Sequence, residues 1–140
     1  MNINLIVVLT IIIVHWIGDF VFQAEKWSLG KSKNWSDLLK HTATYTLVFY
    51  ILGFATVYWL NGRTFIGTIY ENNAKLLWFF PITFVCHTII DYFTSRIVSK
   101  RFAKGYYGSA IPNFGAFTII GIDQVLHYFQ LFITYYLLTK

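Results

Sequence analysis

Residues 3–23 read INLIVVLTIIIVHWIGDFVFQ. A run of this length and apolarity reaches the roughly 20 residues that a helix needs to cross a bilayer. Inside it stand His15 and Asp19, one helical turn apart. Taking a carboxylate out of water is costly unless another group compensates. The run therefore predicts a membrane helix whose polar residues turn inward, onto partners that satisfy them.

Three further runs are long enough to span: 38–60, 76–95 and 114–138. Together the four predict an all-α bundle of four transmembrane helices, one integral membrane domain over residues 1–140, with both termini on the outer side. Composition points the same way. Of 140 residues, 56% are hydrophobic, 21% aromatic and only 12% charged, whereas a soluble domain carries about a quarter charged residues. MNIN, ahead of the first run, has no charged side chain, and no small-residue cleavage site follows the run. It reads as a retained helix rather than a secretory signal.

The net charge of +5 is explained by membrane orientation, not by nucleic acid. Lys26, Lys31, Lys33 and Lys40 cluster after the first run, and Arg96, Lys100, Arg101 and Lys104 after the third. The middle loop has only Arg63 and Lys75, offset by Glu71. The positive-inside rule puts the first and third loops in the cytoplasm, as for a multi-pass protein of a bacterial inner membrane. Trp27, Trp35, Trp59, Trp78, Tyr106 and Tyr107 fall near the expected interfaces. Ser36 is the expected N-cap of the second helix, and Pro81 is expected to kink the third. Cys86 is the single cysteine, so no intrachain disulfide forms.

The chain has four histidines and four aspartates, and every histidine has an aspartate four residues away. The pairs are His15 with Asp19, Asp37 with His41, His87 with Asp91, and Asp123 with His127. There is one pair per expected helix, and a four-residue offset puts both members on one face. The order alternates with the direction of the helices: His before Asp in the first and third, Asp before His in the second and fourth. In all four the aspartate then lies nearer the cytoplasm. Facing lipid, these groups would be very unfavourable; facing one another, they make a polar core.

Bundle proteins build metal sites from carboxylates and imidazoles on facing helices. The candidate ligands here are His15, Asp19, His41, His87, Asp91, Asp123 and His127, with His15, His87, His127 and Asp123 as the expected core. One or two divalent ions of the Zn²⁺, Mn²⁺ or Fe²⁺ kind suit such donors. An aspartate left free by the metal, Asp19 or Asp91, is the expected general base. Gln23, Gln124, Asp37 and Tyr45 are expected to support the ligands, although Asp37, at a helix start, also suits the helix dipole alone. The leading expectation is a metal-dependent hydrolase. Its basic loops favour an anionic amphiphile drawn from membrane lipid. A transporter or channel for protons or divalent metal, in a homo-oligomer or alone, is the second reading. A non-catalytic regulator, or a purely structural polar network, is the third. The outer stretches TLVFYILGFATVYWL and YFQLFITYYLL read as apolar apart from Thr and Tyr hydroxyls, which favours a one-sided site over a pore.

At HWIGDFVFQ, KHTATY, HTIIDYF and DQVLH the sequence resembles a family of small bacterial and phage membrane proteins, domain-of-unknown-function family 3307. The resemblance covers nearly the whole chain. It implicates His15, Asp19, Gln23, His41, His87, Asp91, Asp123, Gln124 and His127, but not Asp37, and it implies no activity. In style of site the helices also look like those of membrane-bound metal-dependent hydrolases of the YdjM type.

Overall fold

The structure, a computed structural model, describes residues 5–61, 74–106 and 114–139. Among these all regular structure is helical. Helix α1, Leu5–Trp16, runs without a break into a π-helical turn, Ile17–Val21. A short helix α2, Glu25–Gly30, leads to the long α3, Trp35–Asn61. A 3₁₀ turn, Ala74–Trp78, opens α4, Phe79–Ala103, and α5 spans Phe114–Leu138. Arg63, Glu71 and Tyr107 lie outside the described residues.

The fourth expected helix has the predicted bounds. The others differ for local reasons. Helix α3 starts at Trp35, so Ser36 is inside it and is not the cap. Asn34 caps it instead: its Oδ1 accepts the Asp37 N–H at 2.7 Å, and its Nδ2 donates back to Asp37 Oδ2 at 2.6 Å. This reciprocal bonding satisfies a first-turn donor. Gly30 lies so close to the Asp37 carboxylate that a Cβ there would collide with it. Pro81 sits in the first turn of α4, where its missing N–H would have no helical partner, so the expected kink has no cause. Arg96, Lys100 and Arg101 are not in a loop, because α4 continues to Ala103. There Gly105, at φ +70°, ends it, with Gly105 N–H on Phe102 O and Tyr106 N–H on Arg101 O, the Schellman closure that favours glycine.

Helices α1, α3, α4 and α5 pack antiparallel in sequence order. Tyr45 stacks on His87 and Phe49 touches Phe79, so α3 rises as α4 falls. One end of the bundle is filled by an apolar cluster including Ile11, Val14, Val48, Phe49, Phe79 and Leu131. The stretch YFQLFITYYLL there is not polar only in its hydroxyls: it contains Gln130, which donates to Thr83 Oγ1 at 3.5 Å and Thr134 Oγ1 at 3.0 Å. The remaining interior is polar. His15, Asp19, His41, His87, Asp91 and His127 are all buried. The outer faces are apolar. Ile13, Leu47, Ile51, Val85, Ile89, Val125 and Phe129 are each more than two-fifths exposed. Among the described residues, Gly115–Leu138 is long and apolar enough to cross a membrane, and Leu5–Val21 is a shorter apolar helix. Helices α3 and α4 mix their apolar residues with the Thr, Tyr, His and charged side chains that fill the interior.

Candidate metal centre

The four His/Asp faces meet within a single chain. From α3, His41 Nε2 lies 3.2 Å from His87 Nε2 of α4. It lies 3.1 Å from Asp19 Oδ1 of the π turn and 2.9 Å from Asp91 Oδ2 of α4. His87 Nε2 is 3.7 Å from the same Asp19 oxygen and 3.6 Å from the same Asp91 oxygen. Four donors at about 2.0–2.1 Å from a shared ion, in tetrahedral array, would be roughly 3.3–3.4 Å apart. The five separations, 2.9 to 3.7 Å, straddle that value. A single Nε2–H on His41 cannot serve three acceptors, whereas one cation can serve all four donors.

A second group, Asp19, Asp123 and His127, adjoins the first. His127 Nε2 is 3.4 Å from Asp91 Oδ1 and 3.5 Å from Asp123 Oδ1. Asp19 Oδ1, Asp91 Oδ1 and His127 Nε2 are buried without an aligned hydrogen-bond partner. Buried polar atoms are rarely left so. Converging donor atoms of this kind fit a shared cation.

The π turn brings Asp19 into place. Its wider winding is closed by Phe22 N–H on Ile17 O at 3.0 Å, and such turns recur at functional sites. Gly18 permits the fit, because a Cβ there would stand 3.0 Å from the Tyr45 ring. Gln23 does not reach the Asp19 carboxylate; its Nε2 donates to the Asp19 backbone carbonyl at 3.0 Å and closes the turn.

His15 is not brought to either donor group, and this corrects its expected place in the ligand core. Both of its ring nitrogens are engaged. Gln124 Nε2 donates to Asp19 Oδ2 at 2.9 Å and Asp123 Oδ2 at 3.2 Å, which fixes the amide orientation. Gln124 Oε1 must then accept from His15 Nε2–H, 2.8 Å away. That leaves His15 Nδ1 to accept the Tyr45 hydroxyl proton at 2.7 Å. Tyr45, His15 and Gln124 thus form one directed chain ending on the two carboxylates. Tyr45 also stacks on His87 at 3.8 Å, and His87 on His127 at 4.0 Å. Asp37 stays with Asn34 at the start of α3 and does not join the cluster.

Three participants were hidden in the sequence. Lys31, expected only as a topology charge, donates to Asp91 Oδ2 at 3.0 Å. Its burial works against the charge, but Asp91 and Asp19 outweigh it and raise the ammonium pKa. Arg96 holds this lysine's backbone: its Nη1 donates to Tyr92 O at 3.0 Å and to Lys31 O at 3.5 Å. The same guanidinium lies 3.7 Å over the Tyr92 ring, which stacks on Trp35. Thr94 donates to Asp123 Oδ1 at 2.6 Å.

The residues that carry this geometry lie within a stretch that matches a known sequence family. Residues 7–140 match the family described as "Protein of unknown function (DUF3307)". The chain belongs to that family. Its description assigns no activity, so the DUF3307 match leaves the chemistry to the site itself. No curated protein and no solved structure matches the chain.

Proposed function

We propose that this DUF3307 chain is a multi-pass membrane protein and a metal-dependent hydrolase. Its divalent ion is held by His41, His87, Asp19 and Asp91. The observation that carries the reading is the set of five donor separations clustered about a tetrahedral edge. Two imidazoles and two carboxylates suit Zn²⁺, Mn²⁺ or Fe²⁺. The apolar outer faces of all four long helices support the membrane setting, since patches of this extent are not left in water.

A bound ion supplies a Lewis acid and lowers the pKa of water. The residues around it divide the remaining work. Asp19 and Asp91 serve as ligands in this reading, so the general base passes to His127. Its Nε2 lies 3.4 Å from Asp91 Oδ1 and 3.5 Å from Asp123 Oδ1 and carries the proton toward them, which leaves Nδ1, buried without a partner, as the lone pair that takes up a proton. Asp123, steadied by Thr94 and Gln124, orients it and would stabilise the imidazolium it becomes. The Tyr45–His15–Gln124 chain fixes the Asp19 carboxylate for the ion. Conduction is less well supported, because the apolar cluster around Val48, Phe49, Phe79 and Leu131 fills the far end.

The reading is tested with purified protein in vesicles presented with a panel of phosphate and carboxylic ester lipids. Cleavage should stop on chelation, return with one of the three metals, and be absent in His41→Ala. A metal-loaded protein that cleaves none of them would contradict it.

A further inference from the structure

Beside the candidate centre lies a cavity of about 580 Å³, bounded by the π turn, α2 and the residues after it, the end of α4 and the start of α5. Asp19, Asp123 and Gln124 form its floor. Its size falls within the roughly 300–1,000 Å³ of small-molecule sites. The two sides of this cavity differ in chemistry. Toward α2 the lining carries Lys33, Ser28 and Ser32 and, deeper, Lys31, whose ammonium already meets Asp91, with Ser95 and Ser99 opposite on α4. Ser95 Oγ is buried and has no hydrogen-bond partner within the chain. The other walls are Phe20, Val98, Phe102, Ile119 and Ile120. Of these, Phe20, Phe102 and Ile120 are at least two-fifths exposed, so the apolar wall is continuous with the apolar outside of the bundle.

We propose that this groove binds a phosphorylated membrane amphiphile, with its phosphate at Lys33, Lys31 and the serine hydroxyls and its chain along Val98, Phe102, Ile119 and Ile120. Charge and hydroxyl donors match a phosphate. A water-soluble phosphate would make no use of the apolar wall, and a neutral lipid would make none of the lysines. Asp123 and Asp19 line the same cavity, so bound ligand lies beside the candidate centre. The proposal names the substrate of the hydrolase reading and rests on that reading only for the cleavage. The binding itself is a property of the groove.

The test is native mass spectrometry of the full chain in neutral detergent, with lysophosphatidic acid as the probe. Monoacylglycerol of the same chain length and inorganic phosphate serve as comparisons, each measured on metal-loaded and on chelated protein. A single lysophosphatidic acid adduct is expected in both states, tighter in the loaded one. Lys33→Glu, at an exposed side chain, should weaken it roughly five- to tenfold. Ser99→Trp, which blocks the phosphate end, or Ala103→Trp, which fills the chain's path, should abolish it. Monoacylglycerol bound as tightly, or an adduct unmoved by Lys33→Glu and both Trp variants, would overturn the proposal. Inorganic phosphate bound as tightly would overturn the amphiphile as occupant. Metal content measured on the same samples separates the outcomes. An adduct on protein that cannot hold metal sinks the hydrolase reading alone, and metal with no adduct sinks the groove alone.

Discussion

The Nε2 atoms of His41 and His87 stand 3.2 Å apart across two helices, with no carboxylate between them. Two buried imidazoles have little reason to meet nitrogen to nitrogen unless one proton or one cation joins them. Both also face Asp19 Oδ1 and Asp91 Oδ2, so a cation accounts for more of the contacts than a proton does.

Removal of either imidazole should therefore cost more than the about 10–100-fold in metal affinity that loss of a supporting partner costs. His41→Ala and His87→Ala are expected to fail to retain metal through gel filtration. His15→Ala should retain it with affinity lowered within that 10–100-fold range. Competition with a chromogenic chelator gives the affinities.

His127 and Asp123 are expected to separate binding from turnover. His127→Gln should hold metal as wild type does and lose about 10²–10⁴-fold in kcat, the range of a general base. Asp123→Asn should fall between the two. Parallel metal and rate measurements check the split.

Tyr45→Phe should leave His15 Nδ1 buried without its donor. An unpaired buried acceptor costs about 1–3 kcal/mol, so the variant should unfold at lower temperature in detergent. Metal should still bind, since the hydroxyl acts through His15 and Gln124.

Two glycines should respond oppositely to alanine. Gly30→Ala forces the Asp37 carboxylate away from Asn34 and should destabilise the start of α3. Gly53, in the same helix, has nothing within 4 Å of a would-be Cβ. There alanine should be neutral or stabilising by up to about 1 kcal/mol. Thermal melts of the two variants side by side decide this.

The i,i+4 pairing of His and Asp made the site legible before any coordinates, because helical spacing alone puts each pair on one face. Two of the four pairs, His87 with Asp91 and Asp123 with His127, enter the cluster whole, and the first sends only Asp19. The fourth splits: His41 takes the central position, while Asp37 lies one turn earlier, where Asn34 claims it. The pattern Asn34-x-x-Asp37 could have shown this, since it places a capping side chain three residues before a carboxylate. Lys31 could not have been found in this way. It is 60 residues from Asp91 and looks no different from Lys26 or Lys33 in sequence. The same holds for His15. Its spacing from Asp19 is that of a ligand, and only the positions of Tyr45 and Gln124 show that both nitrogens are taken. The helix ends differ from the expected ones where Asn34 rather than Ser36 caps α3 and where α4 runs on to Ala103, and Pro81 gives no kink because it stands in a first turn.

Elemental analysis of gently purified, chelator-free protein tests the central claim most directly, with His87→Ala and His127→Gln measured beside the wild type. The account predicts about one equivalent of a transition metal in wild type and in His127→Gln, and none in His87→Ala. Wild-type protein that holds no metal, even after reloading with Zn²⁺, Mn²⁺ or Fe²⁺, would contradict it, and so would His87→Ala protein that keeps the wild-type content.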